Sequence, residues 1–597
     1  KTVADLREFM LNAIRRHRVE QNKGKVISYD EAEILEESNV MSLSAGSLGG
    51  KGRGVAFINT LIYNFDFHQI IPNINIRAPR TLIIGTDEFE YFMDRNNLRA
   101  FVMETRDYEE IRRTFVTARL SEGLMRKLKR ILKQMEKPLA VRSSGMFEDS
   151  LMQPFAGIFE TYLLPNSHPD PDERLKQLCD AIKLVYASVY SKIARGYVEA
   201  IHYKIEDEKM AIVLQEVVGN RFEDVHYPHV SGVAQSYNYY PFAHMKPEEG
   251  FAVAALGLGC YVVEGEKAYR FSPAYPTTDI NSPKDQYKNS QVHFYAIDLS
   301  KHDVNLLEGE FAGLARLDID VAEKHGNLRH CASVYDFDSE RIIPGLTTAG
   351  PRILNFANIL KYNYIPLAET IQVVLDIVKE AMGSPVEIEF AVDLNKDERN
   401  RASFYLLQIK PLIGSAQDFE VNMDEIDQEK ILLYTEKGMG NGKIDDITDV
   451  IYVKTEIFDK SQTEQMAREI EKINAQFTDS GRKYILIGPG RWGTRDRWIG
   501  IPVNWPQISN AKIIVETSLE DFPLDASSGS HFFHNVTSMN VGYMTVQPEL
   551  LSSYIRYVKL EEQELVGEST YFRHVRFAKP LVVRMDGKKR ISVISEE

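Results

Sequence analysis

Residues 138–150 read PLAVRSSGMFEDS, an apolar run followed by an arginine, two serines and then acidic residues. The apolar run predicts a β-strand, and Arg142, Ser143 and Ser144 lie at its carboxyl end. Two interpretations fit this pattern. One is a tight surface turn, and the other is a strand end that holds an anion.

A glycine-rich segment, AGSLGGKGRG at residues 45–54, runs into a predicted helix. A P-loop requires Gly, four residues and then Gly-Lys-Ser/Thr, but here Ala45 takes the place of the first glycine and Gly52 that of the hydroxyl residue. Glycines still allow the backbone to approach an anion closely, and Lys51 supplies a positive charge. The segment is therefore either a different kind of phosphate-binding turn or a flexible turn before a helix.

Two later segments predict a β-hairpin with polar side chains on one face. Alternation along VEIEFAVD, residues 386–393, places Glu387 and Glu389 together and the apolar residues on the other side. The next predicted strand, FYLLQIKP at residues 404–411, carries Gln408 and Lys410. Oxygen ligands suit magnesium, and a lysine would neutralise phosphate charge. A merely solvated acidic face is the alternative.

Composition limits the classes of protein that fit. The 597 residues include 44% hydrophobic and 26% charged residues with a net charge of -15, as in a globular protein of several domains. The acidic balance argues against a general nucleic-acid binder. The three cysteines Cys179, Cys260 and Cys331 form no CxxC pair, so a disulfide framework or a cysteine zinc site is not expected. We expect a cytoplasmic protein without a membrane span, and the initial Lys1 predicts a missing upstream part.

The pattern along the chain predicts an α/β (α+β) protein in four parts. Residues 1–40 read as a helical lead-in or linker. Helices and strands alternate over residues 41–205, strands dominate residues 206–415, and residues 416–597 look like a further, smaller α/β domain of unknown role.

Seven segments of the chain, taken in order, resemble the amino-terminal nucleotide-binding part of phosphoenolpyruvate synthase and pyruvate phosphate dikinase. They span roughly residues 41–415 and read GGKGRGVAFINTLI, APRTLIIGTDEFEYF, AVRSSGMFEDSLMQPFAGIFETYL, ASVYSKIARGY, IVLQEVV with SGVAQS, ALGLGCYVVEGE, and VEIEFAVDL with FYLLQIKPL. The resemblance implies an ATP-grasp-like module of two lobes, 41–205 and 206–415, that binds ATP and Mg²⁺.

The resemblance also implies roles for particular residues. Lys51 and Arg142 match the family's phosphate contacts and are candidate catalytic residues. Glu389 and Gln408 match the residues that help to hold magnesium and nucleotide.

Further positions match the nucleotide side of the family's site. Gln215 matches a glutamine there, and Glu387 stands at the family's aspartate. Two positions depart from the family pattern: Lys410 replaces an arginine, which keeps the charge but loses the bidentate fork, and Cys260 replaces an acidic residue.

The tail lacks the family's phosphohistidine motif and its barrel, but it contains two unusual segments. In GPGRWGTRDRWIGIPVNW, residues 488–505, the arginines Arg491, Arg495 and Arg497 lie among glycines and the tryptophans Trp492 and Trp498, a pattern that suits an anion or a stacked base or else a packed turn. DASSGSHFFHN, residues 525–535, places His531 behind small residues, so His531 is either a phosphoryl acceptor or a structural histidine.

Two functions follow as expectations. The first is a kinase-like phosphotransferase that uses Mg-ATP and transfers a phosphoryl group to a histidine or another acceptor; the resemblance implies a histidine, with AMP as the nucleotide product. The alternative is a nucleotide-sensing module without turnover. If the tail is a separate domain, residues 41–415 should bind nucleotide alone; otherwise the tail completes the site.

Overall fold

The computed structural model describes residue 10 and residues 23–29, 39–146, 148, 157–200, 203–238, 245–279, 281–412, 419–494, 496–522, 524, 541–547, 553–587 and 589–596. The expected lead-in helix falls largely outside these residues, and so does His531. Within them the chain is a mixed α/β protein with several sheets. No helix in this part of the chain has both the length and the apolar character needed to cross a membrane.

The N-terminal sheet has six strands. Their order is Val26–Ser28, Val40–Ser42, Thr81–Ile84, Met210–Glu216, Leu139–Gly145 and Thr161–Leu164. The α-helices in this region are Gly49–Asn64, Phe67–Ile70, Thr86–Arg95, Leu98–Glu104, Tyr108–Thr117, Glu122–Ile131, Pro171–Ser188 and Lys192–Ala200. The helix Glu122–Ile131 shows why they form. Ser121 caps it by accepting from the Leu124 N–H at 3.1 Å, and its apolar stripe is buried against the sheet core.

The central sheet also has six strands, in the order Tyr269–Phe271, Phe251–Ala255, Val230–Gln235, Val386–Asp393, Ala402–Pro411 and Ile74–Arg77. The predicted hairpin forms its middle, and the helix Leu367–Met382 contributes to the core on its apolar face. Two smaller sheets comprise Leu314–Asp318, His293–Asp298, Val225–Tyr227 and Asn220–Phe222, and then Arg341–Pro344, Ala332–Asp336 and Arg352–Leu354. The remaining α-helices here are Cys260–Val263, Pro283–Lys288, Ile319–Lys324 and Ala357–Leu360.

The boundary expected near residue 205 does not separate the two six-stranded sheets, which, each with its packed helices, we refer to as the first (N-terminal) and second (central) lobes. Met210–Glu216 lies in the N-terminal sheet beside the Arg142 strand, although it follows that boundary. Ile74–Arg77 lies in the central sheet, although it comes from the first part of the chain. The chain therefore crosses between the lobes, and residues distant in sequence meet where the two sheets face each other.

The C-terminal unit is built on a ten-stranded sheet. Along the sheet the strands are Gly438–Met439, Gly542–Val546, Ala511–Thr517, Tyr484–Pro489, Gly442–Val453, Phe572–Asp586, Ile591–Ser595, Ile431–Thr435 and Tyr554–Ile555, with Glu564–Glu568 paired to Phe572–Asp586. A separate pair joins Arg491–Trp492 to Gly500–Ile501, and the helices are Thr463–Ser480 and Tyr557–Glu561. The strands Tyr484–Pro489, Ala511–Thr517 and Gly542–Val546 run parallel to one another.

Candidate functional site

The glycine turn lies directly against the strand that ends in VRSS. A Cβ atom on Gly50 would fall 1.3 Å from the carbonyl oxygen of Glu148, so no side chain fits there. The Ser144 hydroxyl accepts from the Gly52 N–H at 2.9 Å and donates to the Leu48 carbonyl at 2.8 Å. The turn is therefore held closely to the strand, and its glycine is required by close backbone approach.

Lys51 is buried at the start of the helix that follows this turn. Its ammonium donates to the Ser143 hydroxyl at 3.1 Å and forms an ion pair with Glu148. Glu148 is itself fully buried and accepts from the Gly145 N–H at 3.1 Å. Because burying an isolated charge is costly, the carboxylate offsets the burial of the lysine.

Arg142 connects the two lobes. Its guanidinium donates to Gln215 Oε1 at 3.1 Å in the N-terminal sheet. It also donates to Glu389 Oε2 at 3.3 Å and to Gln408 Oε1, both in the central sheet. A guanidinium presents five donors in a rigid fork, so one arginine can satisfy acceptors from both sheets at once.

A β-bulge determines which side chains lie on each face of the hairpin. Glu389 pairs with Gln408, but Phe390 pairs with Leu406, so Leu407 is the extra residue. Strict alternation would have put Leu406 and Gln408 on the same face. The bulge instead leaves Leu406 in the hydrophobic core and turns Gln408 toward the Arg142 guanidinium.

Beyond the bulge, Lys410 lies between two carboxylates. Its ammonium is 2.5 Å from Glu389 Oε1 and 3.6 Å from Glu387 Oε1. Burial raises the pKa of Glu387, while Lys410 and a hydrogen bond from Gln235 Nε2 at 2.6 Å oppose the rise. Lysine thus supplies a charge at this position but makes its contacts as a single ammonium group.

A cavity of about 300 Å³ is lined by residues of both lobes, a volume that suits a small molecule. Its polar wall contains most of the residues expected at the site: Lys51, Arg142, Gln215, Glu389, Gln408 and Lys410. Apolar side chains complete it, among them Leu163, Val217, Phe311 and Leu314. Glu387 is not part of the wall and touches the site through Lys410, whereas Cys260 is part of it.

Two buried acidic residues behind the glycine turn were not predicted from the sequence. Glu148 pairs with Lys51, and Glu208 accepts from the Met146 N–H at 2.7 Å. Burial raises the pKa of Glu208 to about 8; the hydrogen bond from Met146 opposes the rise, and the nearby Glu148 carboxylate adds to it. The acidic run after VRSS was a signal for Glu148, but nothing in the sequence singles out Glu208.

The two expected magnesium ligands, Glu389 and Gln408, carry oxygen donors of the kind that magnesium takes. Glu389 and Gln408 face each other on adjacent strands and present a carboxylate and an amide oxygen beside the cavity. Magnesium commonly takes one or two protein oxygens and completes its shell with water and phosphate, so this donor set fits. Over the described ranges, no cluster of three or more His, Cys, Asp or Glu side chains is arranged to hold a metal.

The arginine- and tryptophan-rich segment of the tail divides between core and surface. Trp492 is 1% exposed and donates to the Val515 carbonyl at 3.3 Å, whereas Trp498 is 49% exposed. The guanidinium of Arg497 lies 4.8 Å from the centre of the Trp498 ring. Arg495 and His531 lie outside the described residues, so the roles expected for them stay predictions.

Comparison with known proteins bears on residues 45–431. A family model for the pyruvate phosphate dikinase, AMP/ATP-binding domain matches this range, which is nearly two thirds of the chain. A search of the curated proteins finds no match. The matched range contains the polar wall of the cavity, the central sheet and the N-terminal sheet except for its strands Val26–Ser28 and Val40–Ser42.

Proposed function

The chain belongs to the pyruvate phosphate dikinase AMP/ATP-binding domain family, and from that premise we propose that it binds Mg-ATP in this cavity and transfers a phosphoryl group to a histidine or another acceptor. The observation that carries the proposal is the contact of Arg142 with both lobes inside the cavity. An arginine at that point can hold the phosphates and close the two lobes around the nucleotide.

In the proposed site, three cations offset the phosphate charge. Lys51 approaches from the glycine turn, Arg142 from the N-terminal sheet and Lys410 from the central sheet. Phosphoryl transfer depends mainly on positioning and on stabilising charge on the transferred group, so cations converging from three elements suit it. The apolar side of the cavity, with Leu163 and Leu314, suits the base of the nucleotide.

Glu389 and Gln408 are the residues that would hold magnesium. The ion, when bound, supplies positive charge to the phosphate oxygens. Lys410 and Arg142 already contact Glu389, so they orient its carboxylate toward the cavity. This is the arrangement expected of groups that position a ligand rather than react with it.

For a histidine acceptor with AMP as the nucleotide product, the reacting bond lies between the α and β phosphates of ATP. A bond forms between the imidazole nitrogen and the β phosphorus. The bond from that phosphorus to the bridging oxygen breaks, and AMP leaves with the electron pair. We propose His531 as the acceptor within the chain.

A nucleotide-sensing role is the second candidate. Each cation of the site already has a carboxylate partner in the chain: Lys51 pairs with Glu148, and Arg142 and Lys410 both pair with Glu389. Cys260 stands in the cavity wall where the family has an acid. Such a site could bind and release ATP without turnover.

Product analysis separates the two functions. The full chain is incubated with Mg-ATP labelled at the β-phosphate, and AMP and acid-labile, base-stable protein label are measured. AMP with label that is lost in His531→Ala supports transfer to His531, and AMP without protein label indicates another acceptor. Saturable ATP binding without AMP indicates sensing, and the absence of both binding and AMP refutes the proposal.

A further inference from the structure

The C-terminal unit contributes to the wall of the cavity. Gly493, Val503, Asn504 and Trp505 line it together with the residues of the two lobes. All four lie after the segment GPGRW, and the last three close the tryptophan-rich stretch that the proposed function does not use. The cavity is thus bounded by three parts of the chain rather than two.

This segment is anchored to the first lobe by packing. The helix Lys192–Ala200 faces the turn Trp505–Ile508, and a Cβ atom on Gly196 would lie 2.9 Å from Pro506 Cβ. Ile158 and Tyr197 of the first lobe are buried in the same hydrophobic cluster as Trp505. The shared core fixes the position of the segment relative to the first lobe.

A hydrogen bond anchors the same segment to the second lobe. Arg491 is 8% exposed, and its Nη1 donates to the Gly265 carbonyl at 2.8 Å. Because the segment contacts both lobes beside the cavity, a change in the spacing of the lobes on binding must also act on the segment.

Asn504 supplies a polar group to this wall. Its backbone N–H donates to Gln507 Oε1 at 2.8 Å, and its backbone carbonyl accepts from the Gln507 N–H at 3.0 Å. Asn504 is exposed, and among the residues that the structure describes its side-chain amide N–H₂ has no acceptor. That group is available as a donor to a ligand in the cavity.

We propose that Asn504 and Trp505 of the C-terminal unit lie against the bound nucleotide, with Asn504 a specificity-determining residue that donates to it. This inference rests on the proposed nucleotide site and adds a third element to it. A nucleotide held only by the two lobes would leave these residues unaffected, which makes the two arrangements distinguishable.

Tryptophan fluorescence tests the contact in the full chain. The sequence has three tryptophans, all within residues 492–505, and Trp505 lines the cavity while Trp498 is exposed. Titration with Mg-ATP should change the tryptophan emission, and the midpoint of this change should equal the midpoint of the calorimetric titration. The change should persist in Trp498→Phe and be largely lost in Trp505→Phe. Calorimetric binding without an emission change, or a change lost only in Trp498→Phe, overturns the inference alone.

A charge variant tests Asn504 without disturbing the fold. The Asn504 side chain is exposed and makes no capping hydrogen bond, so Asn504→Asp should melt like the parent. Its carboxylate should repel the phosphates and weaken ATP binding at least tenfold. Asn289→Asp, an exposed residue that does not line the cavity, adds the same charge and should change the affinity less than twofold. Equal affinities of the two variants overturn the role of Asn504, and absence of ATP binding in the parent chain overturns the proposed function and this inference together.

Discussion

Replacing Arg142 by alanine is the most direct test of the cavity as a phosphate site. The guanidinium contacts Gln215, Glu389 and Gln408, and its side chain is 15% exposed. Loss of a charge-assisted contact to a phosphate costs about 1.5–3 kcal/mol. That corresponds to a decrease in ATP affinity of roughly 10- to 150-fold.

The folding cost of the same change should be smaller than that of breaking an isolated buried pair. Glu389 keeps Lys410 at 2.5 Å, and Gln215 keeps its hydrogen bond to Thr81 at 3.0 Å. We therefore expect a loss of about 1–2 kcal/mol of stability, so the variant should stay folded at the temperature of the assay. A melting curve recorded beside the titration checks this.

Calorimetry with and without magnesium measures the affinities. Arg142→Lys should lie between the parent and the alanine variant, because lysine keeps the charge but cannot reach both sheets. The matched control is Arg221→Ala, which removes the same charge from a side chain that is 70% exposed and 3.8 Å from Asp224. If Arg142→Ala binds ATP within twofold of the parent, or if Arg221→Ala loses as much, the phosphate role of Arg142 is wrong.

Three further predictions concern the glycine turn and the acids behind it. Gly50→Ala should abolish ATP binding measured by calorimetry, because its Cβ would meet the Glu148 carbonyl oxygen. The control Gly54→Ala in the same helix has only one atom near its Cβ, at 3.6 Å, and should bind ATP normally. Lys51→Met should weaken ATP binding about tenfold. It should also lower the free energy of unfolding by about 3–5 kcal/mol, because Glu148 loses its partner. Adding Glu148→Gln should restore the melting temperature but not the affinity for ATP. Burial raises the pKa of Glu208 to about 8. The contribution of Glu208 to stability is therefore complete below its ordinary pKa of 4.5 and is lost as the pH rises to about 8. Glu208→Gln should therefore flatten the fall in melting temperature across this range, and an unchanged slope would contradict the argument.

The sequence alone determined the family and the local chemistry. The ordered segments from GGKG to LLQIKP predicted the membership that the family model shows over residues 45–431. The resemblance rests on short local motifs, so Lys51, Arg142, Glu389 and Gln408 could be named as candidate site residues without coordinates. The hairpin of residues 386–411 was also predictable, because the alternation of polar and apolar residues is a local signal.

Tertiary structure decided the features that depend on residues distant in sequence. The extra residue Leu407 turns Gln408 toward the cavity, and a bulge depends on how two strands pair rather than on either strand alone. Glu208 acquires its raised pKa from burial beside the glycine turn, which no spacing reveals. The tail segment reaches the cavity through a core shared with Tyr197 and a hydrogen bond to Gly265. Sequence patterns report the chemistry of neighbours along the chain, whereas burial, strand register and the walls of a cavity arise only when distant segments pack together.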